Sequence, residues 1–228
     1  MNILYEDASV IVAVKRRGVL SEGYGNGSMP SLLSAYLREN GEDAAVYPVH
    51  RLDRETAGVM VYAKTKDAAA MLSRAVAERR VEKEYLAVTE GVPSVDGGEM
   101  RDLLFRDAKR NKSFVVDRMR KGVREASLRY RVMATADGRA LCRVALETGR
   151  THQIRVQFAS RRLPLVGDTR YGAKTSLPLG LFAYRLSFPH PKTGKPLTFS
   201  ALPDDLDASF LPFRDAMREL SLPQDGSA

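Results

Sequence analysis

The sequence predicts an α+β fold: a mixed, mostly antiparallel β-sheet with helices packed on it. Three observations lead there. Stretches that alternate apolar with polar residues, clearest in Leu128-Tyr130-Val132 and Val144-Leu146, outnumber helical ones, and such alternation places successive side chains on opposite faces of a sheet. Turn residues punctuate these stretches at short intervals. Two segments repeat apolar residues at helical spacing. A sheet covered by a few helices buries both patterns.

In chain order, "ILYEDASVIVAVK" reads as two short strands around the turn Glu6-Asp7-Ala8-Ser9, and "RRGVLSEGYGNGSMP" reads as loop. From Ser31 to Arg38, Leu32, Leu33, Tyr36 and Leu37 recur at helical spacing. A strand follows from Val59 to Lys64. Thr65 then caps a second helix, lined by Ala68, Met71, Leu72 and Ala75 and ending near Arg79. Further strands are predicted in "EYLAVTEG", "SFVVDRM", "ASLRYRVMAT", "CRVALETG", "HQIRVQFA" and "LFAYRLSF". The end, "SLPQDGSA", reads as a frayed tail from about residue 221. Neither an internal repeat nor a long linker divides the chain. One domain of catalytic size over residues 1–228 is expected, with no module before the first strand.

Composition narrows the function. With 228 residues, 44% of them hydrophobic, the chain can bury a sizeable core. Its longest apolar stretches, Val10 to Val14 and Val59 to Ala63, fall far short of the roughly 20 residues that cross a bilayer. The first residues lack the basic-then-apolar pattern of a secretory signal. A cytoplasmic location and no membrane partner are expected. Cys142 is the single cysteine, which excludes an internal disulfide and a cysteine-cluster metal site; in "ALCRVALE" it reads as a small buried strand residue. The net charge of +8 favours polyanionic partners, and nucleic acid is the commonest of these. Ten Lys or Arg residues, including Lys109, Arg110 and Lys112, stand between Arg106 and Arg131 against Asp107, Asp117 and Glu125. That run is either a solvated basic face or a surface that tracks phosphates.

Several chemistries find no support. His50, His152 and His190 are widely spaced, without an HxxxH pair or a carboxylate-rich companion, so no metal is expected. "GYGNGS" does not join a strand to a helix as a dinucleotide fingerprint requires, and no GxSxG elbow occurs. Two dense stretches remain. In "YPVHRLDRETAGVMVYAKT", residues 47 to 65, the charged cluster His50, Arg51, Asp53, Arg54 and Glu55 stands at the mouth of an apolar strand. Such a position suits either ordinary surface or a rigidly held site. In "LETGRTHQIRVQFASRRLPLVGDTRYG", residues 146 to 172, Arg150, Thr151, His152, Gln153 and Arg155 crowd six positions. If Gln153 to Phe158 is a strand, Gln153, Arg155 and Gln157 share one face and Ile154, Val156 and Phe158 the other. An arginine there could hold Asp53 ionised, although a plain structural ion pair is the stronger reading of the local pattern.

At these residues the chain resembles the RluA-type pseudouridine synthases. "HRLDRETAGVMVYAKT" is similar to their catalytic motif, HRLD-x-x-T/S-S/A-G followed by an apolar strand. "ILYEDASVIVAVKRRGVL" resembles their opening strands, "RRVEKEYLAV" their Lys-x-Tyr motif, and "LETGRTHQIRVQFA" their Thr-Gly-Arg-x-His-Gln-Ile/Leu-Arg motif. "LPLVGDTRYG" is similar to their Pro-Leu-x-Gly-Asp-x-x-Tyr-Gly motif. The likeness runs in order from about Ile3 to Leu202.

The resemblance implies the pseudouridine synthase catalytic-domain architecture and an isomerase that converts uridine in ribosomal or transfer RNA to pseudouridine. The family needs no cofactor. Asp53 matches the catalytic carboxylate, which attacks the anomeric carbon or removes a ribose proton. Tyr85 matches the active-site tyrosine, expected to stack on the base and to assist proton removal. Arg155 matches the basic residue that pairs with the catalytic Asp. Arg51 resembles the arginine that fills the space of the flipped nucleotide or steadies the backbone. His50 and Thr56 are expected to shape the loop by hydrogen bonding, and Arg150 and His152 to support the pocket or contact RNA. The chain departs from the pattern at Arg16-Arg17, Gln157 and Leu163, which bears on substrate choice. The small N-terminal RNA-binding domain of several relatives is expected to be missing, and nothing in the sequence demands more than a monomer. Two other classes stay open: a catalytically idle RNA-binding module, and another glycosidic-bond enzyme, although the latter usually divides its work between two carboxylates.

Overall fold

The computed structural model describes residues 1–23, 25, 27–43 and 45–220. The expected frayed tail lies outside the described residues. The chain forms two compact units: Met1–Tyr85 with Phe182–Ala201, and Leu86–Leu181 with the residues from Leu202 onward.

The first unit begins with the hairpin β1 (Asn2–Glu6) and β2 (Val10–Lys15). Its turn is set by Asp7, whose Oδ1 accepts the amides of Ser9 at 2.7 Å and Val10 at 2.8 Å. Helix α1 (Met29–Glu39) starts at Ser28, which caps the Ser31 amide, with a proline in the first turn. After β3 (Tyr47–Pro48), strand β4 (Ala57–Ala63) runs antiparallel to β2, from Val10↔Ala63 to Lys15↔Gly58. Helix α2 (Lys66–Ala77) begins where expected, with Thr65 Oγ1 accepting the Ala68 amide at 3.1 Å. The returning strand β10 (Leu181–Pro189) pairs in parallel with the start of β4, and β11 (Pro196–Ser200) lies antiparallel on β10. Val10, Val12, Val59, Val61 and Ala63 pack with Leu186 and Phe188 against Ala68 and Leu72 of α2. Each large apolar side chain buried this way contributes about 1.5–3 kcal/mol.

Strand β5 (Glu82–Glu90) starts in the first unit and continues into the second. There the strand order is β5-β9-β8-β6-β7, with β6 (Gly97–Asp107), β7 (Lys112–Val116), β8 (Val123–Ala136) and β9 (Arg139–Leu146). The β6/β7, β6/β8 and β8/β9 pairs are antiparallel. Cys142 is fully buried on β9, where burial pushes its thiol up to about 12.

One strand expectation fails. "HQIRVQFA" is not a strand: Gln153–Ser160 forms helix α3. Every residue from Gln153 to Phe158 is buried, so the polar Gln153, Arg155 and Gln157 are placed by internal partners and not by exposure to water. Their alternation with Ile154, Val156 and Phe158 mimics the two-residue period of a half-exposed strand without reporting which side faces water. Gln153, Arg155 and Gln157 therefore do not share one face of a sheet. Gln157 instead reaches β6, its Nε2 donating to Asp102 Oδ2 at 2.7 Å and to the Met100 carbonyl at 3.2 Å.

Two glycines make close approaches possible. A Cβ on Gly58 would lie 2.3 Å from the Ala183 carbonyl oxygen, so only glycine lets β10 sit against the head of β4. Gly167 has φ +72°, and a Cβ there would meet the Leu177 carbonyl oxygen at 2.2 Å. Among the described residues no helix is long and apolar enough to cross a membrane.

Candidate active site

Asp53 sits half-buried in the turn that leads into β4, closed by the Thr56 amide donating to the Asp53 carbonyl at 3.0 Å. The turn is clamped on both sides. On one side, Ser21 exchanges two hydrogen bonds with the backbone of Leu52: its Oγ donates to the carbonyl at 2.9 Å and accepts the amide at 3.3 Å. Tyr62 in turn donates to the Ser21 carbonyl at 3.1 Å. On the other side, the Arg54 carbonyl accepts from Lys15 Nζ at 3.1 Å and from the Gly18 amide at 2.9 Å, while Arg54 Nε donates back to the Gly18 carbonyl. Arg17 Nε donates to the Glu55 carbonyl at 3.2 Å. The Arg16-Arg17 departure, with Gly18 after it, thus forms one wall of the clamp.

Lys15 is the residue that sequence reasoning passed over. It is fully buried, and Nζ also donates to the carbonyls of Arg16 and Val19. Burial lowers its pKa to about 8, with the carboxylates of Glu55 and Asp53 pulling the other way. A lysine that closes the apolar strand "VIVAVK" was the available signal, because lysine is rarely fully buried without partners.

His50 hydrogen-bonds to the backbone of β4. On one side of β4, β3 covers Tyr62 and Ala63 while β10 covers Ala57 and Gly58. In the gap between them, the Val61 amide donates to His50 Nε2 at 3.1 Å. An amide can only donate, so Nε2 is an acceptor and the ring is neutral. Burial, and then the charge of Lys83, hold its pKa well below 6.5. His50, Leu52, Val59, Tyr85, Ala183 and Leu186 line a cavity of about 10 Å³, enough for a single water. Thr56 contributes its backbone amide to the turn; its buried Oγ1 has no hydrogen-bond partner among the described residues.

Tyr85 is 7% exposed. Burial, and then the negative charge of Asp53, push its phenol well above the ordinary value. That shift favours the protonated phenol, which can stack or donate a hydrogen bond. Arg51 is exposed and pairs with Glu22 at 2.6 Å, a surface contact of small energetic weight that RNA could displace.

In the second unit, Arg155 makes a bidentate bond to Asp168, Nε to Oδ2 at 2.7 Å and Nη2 to Oδ1 at 2.8 Å, with the Asp168 carboxylate fully buried. Asp168 was not among the residues singled out, although the Gly-Asp of "LPLVGDTRYG" carried the signal. His152 is buried and caps α3 in the left-handed conformation. Arg150 is exposed and donates to the Glu125 carbonyl at 2.9 Å. Lys109 and Arg110 stand exposed at the tip of the β6–β7 hairpin, where Asp107 Oδ1 accepts both of their amides. Lys112 instead lies over the rings of Phe114 and Tyr171.

A family model described as RNA pseudouridylate synthase matches residues 9–160. The chain is 34% identical to the ribosomal large subunit pseudouridine synthase D of Vibrio parahaemolyticus, over 99% of this chain and 74% of the relative. Its identity to the Vibrio cholerae protein of the same name is 37%, over 94% and 71%. An Aquifex aeolicus protein named an uncharacterized RNA pseudouridine synthase is 37% identical, over 87% and 68%. The solved structure named Human RNA Pseudouridylate Synthase Domain Containing 4 superposes with a TM-score of 0.76 at 26% identity, covering 93% of both chains. With the ordered motifs and a family match over more than half its length, the chain belongs to the RNA pseudouridylate synthases, isomerases of uridine in RNA.

Proposed function

We propose that the protein converts uridine in ribosomal RNA to pseudouridine, with Asp53 as the catalytic carboxylate. The observation that carries the assignment is the clamp: the backbone on both sides of Asp53 is hydrogen-bonded, and the protonated Tyr85 lies close enough to feel its charge. Such a carboxylate is pre-organised to meet a nucleotide turned out of its stack. The reaction balances within the substrate. The bond from ribose carbon 1 to base nitrogen 1 breaks, the base turns, carbon 5 bonds to carbon 1, and the proton lost from carbon 5 is matched by one gained at nitrogen 1. Asp53 either attacks carbon 1 or removes a ribose proton. Tyr85 offers a ring face to hold the detached base.

Ribosomal RNA is favoured as the substrate by the names of the Vibrio relatives, and transfer RNA is the second reading. By resemblance, Arg155 is the basic residue that serves the carboxylate, and Arg51 takes the space left by the flipped nucleotide. The exposed Lys109 and Arg110 would grip phosphates. We infer further that residues 1–228 act as one catalytic domain, as a monomer in the cytoplasm. The relatives' match over up to 99% of the chain supports the first part.

A pseudouridine map of cellular RNA tests the proposal. It compares a strain lacking the protein with strains carrying wild type or Asp53→Asn. A ribosomal uridine whose modification vanishes in the deletion and returns only with wild type is the expected result. Loss confined to transfer RNA would move the substrate, and no lost site would overturn the reading.

A further inference from the structure

The stretch "LPLVGDTRYG" supplies Asp168 to Arg155, but its tyrosine has no role in the site described above. Tyr171 ends the short 3-10 turn Thr169–Tyr171, and its amide donates to the Asp168 carbonyl at 3.0 Å. The turn that presents the Asp168 carboxylate therefore also places the Tyr171 ring. The Arg155 guanidinium lies 5.2 Å from that ring's centre and Lys112 Nζ 5.1 Å from it, both within cation–π range. The ring also packs on the cluster of Leu104, Ala126 and Val156, from β6, β8 and α3.

The hydroxyl of Tyr171 ties two further elements. It accepts the amide of Ser113 at 2.8 Å, on the edge strand β7 whose backbone groups would otherwise face solvent. It also lies 3.0 Å from His152 Nδ1, with the two rings edge to face. Ser113 adds a second strap, its Oγ donating to the Thr151 carbonyl at 2.7 Å. His152 has φ 55° and ψ 26°. A residue with a Cβ keeps that conformation only where its surroundings over-determine it. Two hydroxyls thus join Lys112-Ser113, where β7 leaves the tip of the basic hairpin, to Thr151-His152, at the head of the helix that carries Arg155.

We propose that Tyr171 is a positioning residue that couples the basic β6–β7 hairpin to the start of α3, so that the hairpin's hold on an RNA phosphate backbone sets the orientation of His152 and Arg155. A phosphate drawn to Lys112 moves the one cation on the Tyr171 ring whose strand also donates to the Tyr171 hydroxyl. That displacement reaches His152 through one oxygen atom. The inference rests on the catalytic reading given above.

The test uses the purified full chain on a substrate RNA, measuring the single-turnover rate, the RNA affinity and the melting temperature of each variant. Tyr171→Phe keeps the ring and removes only the hydroxyl. Its rate is expected to fall about tenfold, the scale of a small misplacement of reacting groups, with affinity within twofold of wild type. Ser113→Ala should lower the rate in the same direction, and the double variant should lose less than the product of the two losses. A Tyr171→Phe rate within twofold of wild type overturns the proposal, as does a rate loss that disappears on cooling as the fold is restored. If Tyr171→Phe does not fold, Ser113→Ala decides alone, and an unaltered rate again overturns it. Full activity of Asp53→Asn, run in parallel, would instead overturn the catalytic reading itself, whatever Tyr171→Phe does.

Discussion

Lys15 Nζ donates to the Arg54 carbonyl at 3.1 Å, so a fully buried ammonium holds the residue that follows Asp53. Three carbonyls surround this charge, and two nearby carboxylates partly offset its burial. Lys15→Met would leave those carbonyls without a donor and loosen the turn. Turnover is expected to fall roughly 10- to 100-fold with a smaller change in KM, as for a displaced catalytic group. Steady-state kinetics on substrate RNA checks this, and a variant as fast as wild type would remove Lys15 from the account.

The same lysine separates activity from stability at high pH. Its native pKa is lowered to about 8, while in the unfolded chain it keeps its proton to about 10.4. Between those values the unfolded state binds more protons, so this group makes stability rise with pH. Activity should fall over the same window as the clamp loses its charge. Turnover and melting temperature measured from pH 7 to 10 should therefore diverge in wild type, and Lys15→Met should lack the Lys15 contribution to both.

His50 predicts an acid limb. Its native pKa lies well below 6.5, because the ring is buried near Lys83 and accepts the Val61 amide. From about pH 6.5 downward the unfolded chain takes up a proton that the native protein refuses, so stability is lost as the pH falls towards the native pKa. His50→Gln keeps an acceptor near the Nε2 position without titrating. Melting temperatures from pH 7 to 5 should decline less steeply in that variant, and equal slopes would show that His50 is not the titrating group.

Helices α2 and α3 both end in a left-handed arginine, Arg79 with φ 58° and Arg162 with φ 62°. Each sits in a six-to-one bonded cap, Arg80 to Ala75 at 2.8 Å and Leu163 to Phe158 at 3.1 Å. Glycine adopts this conformation without Cβ strain. Arg79→Gly and Arg162→Gly should each stabilise the protein by about 1 kcal/mol, a rise in melting temperature of roughly 2–4 °C. Thermal melts that show a loss would mean that the arginine side chains contribute more than the strain costs.

Much of this was legible in the sequence, and the failures have physical causes. Thr65 named the start of α2 because a cap is a local signal, and the strands before it followed from apolar runs bounded by turn residues. Strand β6 was missed because "GGEMRDLLFRD" opens on two glycines and carries charge on its open face. Helix α3 reads as a strand because its buried Gln153, Arg155 and Gln157 alternate with apolar residues. Asp53 and Tyr85 could be singled out by resemblance, but Lys15 and Asp168 act through contacts with residues distant in the chain. No local pattern encodes such contacts.

The basic hairpin makes a prediction about salt. Lys109 and Arg110 are exposed at its tip, whereas Lys112 is engaged with aromatic rings. Reversing Lys109 and Arg110 to Glu should weaken RNA binding without lowering the melting temperature. If each contacts a phosphate, the slope of log affinity against log salt should flatten by about 1.5. An unchanged slope would place the hairpin away from RNA.

The most direct test is pseudouridine formation by purified Asp53→Asn on unmodified ribosomal RNA transcripts, beside wild type. Asparagine keeps the size of the side chain and removes its charge, nucleophile and base. Wild type is expected to form pseudouridine and Asp53→Asn none, while RNA affinity and melting temperature stay near those of wild type. Pseudouridine formed by Asp53→Asn at the wild-type rate would contradict the catalytic role of Asp53.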